Sequence, residues 1–92
     1  MEDLFSQPGF GSDLADATRK TSKRYDGQAV YQATSKLGPE IKKGDQIYLD
    51  NAHNDHLEVF DKFNDVKVVL NLDGSVNEAK TKKARAEKRK LR

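Results

Sequence analysis

Polar and apolar residues alternate along four stretches of the chain, and each alternation predicts a β-strand. Gln28 to Thr34 puts Ala29, Tyr31 and Ala33 on one side and Gln28, Val30 and Gln32 on the other. Gln46 to Asp50 follows a tight turn at Lys43-Gly44-Asp45, and His56 to Asp61 follows the polar loop Asn51 to Asp55. Val66 to Leu72 sets Val66, Val68, Leu70 and Leu72 on one face after a hairpin turn at Lys62 to Asp65, and Asp73-Gly74 ends it. Gly38-Pro39 interrupts the chain between the first two strands. Strands this close in sequence favour hairpins and a meander over parallel crossovers.

Outside the strands the pattern fades. Residues 1–11 hold Pro8, Gly9 and Gly11 and read as a flexible leader or linker, with Phe5 and Phe10 as remnants of packing against a missing upstream domain. Ser12 is placed to cap a short helix, with Asp13 and Asp16 early and Arg19 and Lys20 late, charges that suit the helix dipole. Leu14 and Ala17 are its inward residues. Asn77 to Leu91 has helical propensity through Ala79, Ala84 and Ala86 but no apolar stripe, so a frayed or RNA-ordered tail is expected there. The expected architecture is α+β: a short N-terminal helix, a twisted antiparallel β-sheet of three to five strands, and a basic C-terminal tail. The expected divisions are a leader over 1–11, a folded domain over 12–79 and a tail over 80–92.

Composition narrows the classes. Hydrophobic and charged residues each make up 35% of the 92 positions, enough apolar material for one thin core. Cysteine is absent, which removes disulfides and thiolate metal sites. No apolar run approaches the roughly 18 residues of a membrane span. No basic segment followed by an apolar one marks a signal peptide. The net charge of +2 conceals an asymmetry: eight Lys/Arg against Glu87 alone give residues 80–92 a charge of +7, and the remainder carries −5. A basic tail on an acidic body suits contact with a polyanion, with Lys80, Lys82, Lys83, Lys88, Arg89 and Lys90 as the candidate RNA-binding cations.

Candidate chemistry is concentrated in Asp50 to Glu58, where Asp50, His53, Asp55, His56 and Glu58 put five ionisable side chains into nine residues. Alternation places His56, Glu58 and Phe60 on one strand face, with Leu57 and Val59 turned the other way. Carboxylates beside imidazoles suit cleavage of RNA by its own 2′-hydroxyl. That reaction needs a base for the 2′ proton, an acid for the departing 5′ oxygen and positive charge near the phosphate. The substrate carries the nucleophile, and no metal or cofactor is required. Zinc or manganese on His53 and His56 with Asp50, Asp55 or Glu58 is a second reading of the same residues. Phe60, sharing the His56 and Glu58 face, is a candidate for stacking on an RNA base.

The run Lys43-Gly44-Asp45-Gln46-Ile47-Tyr48-Leu49-Asp50, then His53, then His56-Leu57-Glu58-Val59-Phe60-Asp61, resembles the cytotoxic ribonuclease domain of ribosome-inactivating colicins, cloacin and related pyocins. The resemblance covers roughly residues 41–74. It implies metal-independent endoribonuclease activity on 16S rRNA at the decoding centre of the ribosome. In its terms Glu58 resembles the general base, His53 the general acid and Asp50 the carboxylate that supports them. His56 is additional and able to take the acid role, and Arg85 is the counterpart of the family's C-terminal arginine. The resemblance also implies a bacteriocin-type domain secreted as part of a larger toxin, acting in the cytoplasm of the target bacterium and neutralised by an acidic immunity protein. A tRNA-cleaving toxin of a contact-dependent system, a non-catalytic RNA-binding module and an immunity-type interaction protein are the alternatives. The +7 tail argues against the last.

Overall fold

Five strands pair in chain order into one open antiparallel sheet in the computed structural model, which describes residues 2–25, 27–50 and 56–91. They are β1 (Thr18–Tyr25), β2 (Gln28–Ala33), β3 (Gln46–Leu49), β4 (His56–Phe60) and β5 (Val66–Asn71). Two helices, α1 (Glu2–Phe5) and α2 (Phe10–Ala17), precede the sheet, and α3 (Glu78–Ala86) follows it. The fold is a small α+β meander. The four alternating stretches correspond to β2 to β5, each ending within one residue of its expected limit.

Both faces of the sheet are covered, so all five residues of β4 are buried. On one face Ile47, Leu57, Val59, Val68 and Leu70 pack with Leu4, Leu14, Ala33 and Ile41. On the other, Val30, Tyr48 and Phe60 pack with Leu91. A two-sided core of this kind gives a short chain more buried apolar area than one sheet face would.

The N-terminal leader is therefore part of the fold. Leu4 is buried in the first core, Phe5 and Phe10 pack against it, and Phe5 meets Tyr31 edge-on at 5.1 Å between ring centroids. These aromatics need no upstream domain to account for them. The helix spans Phe10–Ala17 and starts after Gly9, not Ser12; Leu14 and Ala17 are buried as the pattern predicts. Gly11 is where α1 and α2 touch: a Cβ there would overlap the Leu4 carbonyl oxygen. Gly11→Ala is expected to cost about 1–3 kcal/mol through this overlap, measured as a lower denaturation midpoint with an unchanged slope.

Arg19 and Lys20 lie in β1, not at a helix end. This strand shows no apolar alternation because it is the sheet's open edge and its residues are mostly exposed. Its charges and the register break between Lys20 and Arg24 are features that discourage pairing with another chain.

The opposite edge, β5, is sealed by the segment expected to be a tail. Asn77 caps α3 by accepting from the Lys80 amide at 3.1 Å. Thr81 Oγ1 accepts from the Val69 amide at 2.9 Å and donates to its carbonyl at 3.2 Å. Arg85 donates twice to the Lys67 carbonyl, from Nε at 2.9 Å and from Nη2 at 2.6 Å. Beyond α3, the Val66 amide donates to the Arg89 carbonyl at 3.2 Å and Leu91 enters the second core. Thr81 and Ala84 are the buried residues of α3. A helix held by hydrogen bonds to a strand edge and by two small side chains needs no apolar stripe, so residues 80–91 fold where fraying was expected.

Candidate functional site

Antiparallel register brings the ionisable cluster together. Tyr48 on β3 lies directly opposite Glu58 on β4, and the Asp50 amide donates to the His56 carbonyl at 3.1 Å where the two strands diverge. Tyr48 and Asp50, two residues apart, thus share a face with His56 and Glu58. Asp50 Oδ2 lies 2.8 Å from His56 Nε2. One side-chain atom each from Asp50, His56 and Glu58 falls within 4.8 Å of the others.

Glu58 is the centre of the cluster and is only 1% exposed. Its Oε2 accepts from the Tyr48 hydroxyl, and its Oε1 accepts from Arg89 Nη1 at 2.7 Å. A buried carboxylate needs such partners, because an unpaired charge in the interior is costly. Burial, then the neighbouring Glu58, pushes the Tyr48 phenol above its ordinary range. Tyr48 therefore stays a neutral donor at physiological pH. Burial works against the Arg89 charge, but hydrogen bonds and attraction to Glu58 and Glu87 outweigh it and hold the guanidinium protonated. Arg89 Nε also lies 2.9 Å from Glu87 Oε1.

Above this layer a cleft of about 80 Å³ opens to solvent, lined by Asp50, His56, Lys80, Lys83 and Arg89. Helical spacing puts Lys80 and Lys83 side by side on α3. The chain turns at Lys88, whose φ of 53° is left-handed, before Arg89 reaches Glu58.

The structure gathers Asp50, His56 and Glu58 as the sequence predicts, and places other residues differently. His53 and Asp55 lie outside the described residues. Arg85 is engaged with the Lys67 carbonyl, and the guanidinium on Glu58 belongs to Arg89. Phe60 does share the His56 and Glu58 face, but it is fully buried against Val30, Tyr48 and Leu91 and offers no surface to a base. Among the candidate RNA-binding cations, Lys80, Lys83 and Arg89 line the cleft. Lys82 and Lys88 are exposed, and Lys90 pairs with Asp65 at 3.2 Å. Tyr48 is a cluster member that strand alternation from Asp50 identifies. Arg89 lies 31 residues from Glu58 and carries no local signal.

Asp50, His56 and Glu58 have the donor types and spacing of a metal site. However, both Glu58 oxygens already accept protein hydrogen bonds, and one of them touches a guanidinium. A metal at Glu58 would have to displace Arg89 or lie beside its like charge. Donors and acceptors in hydrogen-bond contact suit proton transfer better. The chain matches no protein-family model, curated protein or solved structure.

Proposed function

We propose that this chain is the metal-independent endoribonuclease domain of a secreted bacterial toxin of the colicin type. The observation that carries the reading is a carboxylate, Glu58, held by Arg89 and the Tyr48 hydroxyl on the face of a sheet, with the His56–Asp50 pair within 4.8 Å of it. Glu58 removes the 2′-hydroxyl proton, and the 2′ oxygen attacks the adjacent phosphorus. A histidine protonates the 5′ oxygen as its bond to phosphorus breaks, leaving a 2′,3′-cyclic phosphate and a 5′-hydroxyl. His56, paired with Asp50 through Nε2, is assigned that role in this reading, and His53 is its competitor. Arg89 is close enough to balance the charge that builds on the phosphoryl oxygens. Its side chain is 29% exposed, so an incoming phosphate can draw it from Glu58 and free Oε1.

The resemblance to colicin ribonucleases points to 16S rRNA at the decoding centre, to an acidic immunity protein and to action in the cytoplasm of a target bacterium. A tRNA target fits the same chemistry. The deciding experiment is incubation with ribosomes and with total tRNA in EDTA, followed by mapping of the cut ends. Discrete cuts ending in 2′,3′-cyclic phosphate are expected. Intact RNA under these conditions, or cleavage only with added metal, rejects the proposal.

The burial of Glu58 favours one other reading. A carboxylate with both oxygens engaged is also a good anchor for the C-terminal segment, and the domain would then bind RNA without cutting it. Under that reading both RNA pools stay whole while binding persists.

A further inference from the structure

Charges around the cleft are unevenly satisfied. Arg89 is paired with Glu58, and His56 is in contact with Asp50. Lys80 and Lys83 face the same cleft, and among the described residues neither ammonium forms an ion pair. Among the described residues, Lys80, Lys83 and Arg89 line the opening with Asp50, and Glu58 and Glu87 already engage Arg89. Ammonium groups without an ion-pair partner attract an anion more strongly in a partly enclosed cleft than on an open surface.

Size restricts the anion. A cleft of about 80 Å³ has room for a few water molecules. Pockets that enclose small organic ligands start at about 300 Å³. The room in this cleft matches a single tetrahedral phosphate group better than a nucleoside. Phosphate oxygens match ammonium and guanidinium donors, and arginine adds a planar fork suited to two oxygens.

We propose that α3 completes a phosphate-sized anion site, in which Lys80, Lys83 and Arg89 hold one phosphodiester group over the His56–Asp50 pair. Its physiological ligand rests on the ribonuclease reading; the anion site itself does not. Lys80 and Lys83 are positioning residues that select a backbone phosphate and leave the bases outside, so they add affinity without sequence preference. The other tail cations, Lys82, Lys88 and Lys90, do not line this cleft, and the function of the basic segment divides accordingly.

The test is titration of the full chain with inorganic phosphate against chloride at constant ionic strength, following the His56 imidazole resonances by NMR. A saturable shift is expected. Lys80→Ala combined with Lys83→Ala should weaken phosphate affinity by about tenfold for each cation removed. The double arginine replacement should restore most of it, and Lys43→Ala, at an exposed turn, should leave it unchanged. A non-saturable wild-type response overturns the proposal whatever the variants do. Equal affinity in the double alanine variant also overturns it. Saturable phosphate binding by a protein that leaves all RNA intact in EDTA keeps the anion site and removes only the nuclease reading.

Discussion

Glu58→Gln is expected to lower RNA cleavage by about 10²–10⁴-fold, the usual contribution of a general base, while fold and RNA affinity are kept. The replacement has the same shape, and the amide oxygen can still accept from Arg89. The Tyr48 hydroxyl can rotate to accept from the new amide, so neither neighbour is stranded. Only the ability to take a proton is lost. Cleavage should be measured with excess RNA in EDTA, alongside thermal unfolding and RNA binding. Activity within tenfold of wild type would assign the base elsewhere. Loss of activity together with loss of folding would assign Glu58 to the anchoring role.

Arg89→Ala is expected to destabilise the domain by about 3 kcal/mol, the lower end of the range for removing one partner of a buried ion pair. Glu58 would keep only the Tyr48 hydroxyl as donor. The lower end is appropriate because the Arg89 side chain is 29% exposed, so water can partly replace it. For a domain of 60–100 residues, each kcal/mol moves Tm by about 4–8 °C, which implies a fall of about 12–24 °C. Adding Glu58→Gln removes the stranded charge and should recover much of the loss, a coupling visible in a double-mutant cycle. A small effect of Arg89→Ala, or no recovery in the double variant, would mean that the pair contributes little to the fold.

Where pairing follows alternation, the sequence pattern reads well. β2 to β5 and their order come from period-two stretches and turn residues, and the Asp50, His56 and Glu58 grouping follows from that register. Alternation assigns side chains to a face; it does not say whether that face is wet. Phe60 shows the difference, because its face is covered from a distance by Val30 and Leu91. β1 leaves little trace, since an edge strand of arginines, lysines and threonines is ordered by its partner and not by burial. The helix α3 is equally quiet, since its attachment is to strand carbonyls and amides. The choice between Arg85 and Arg89 depends on the turn at Lys88, which propensity does not encode.

Because α3 and the segment after it belong to the core, a truncation that removes residues 80–92 would not isolate electrostatics. It would strip the β5 edge, empty the Leu91 position and strand Glu58 at once. Charge-neutralising point substitutions at the exposed Lys82 and Lys88 separate affinity from folding.

The left-handed turn at Lys88 also ties integrity to competence. The same few residues deliver a hydrophobic plug, Leu91, and the counter-charge for Glu58. A protease that nicks the backbone just past the helix would disarm and loosen the protein in one event, leaving no half-competent fragment behind. If the toxin proposal holds, the C-terminal strap is a natural point of destruction.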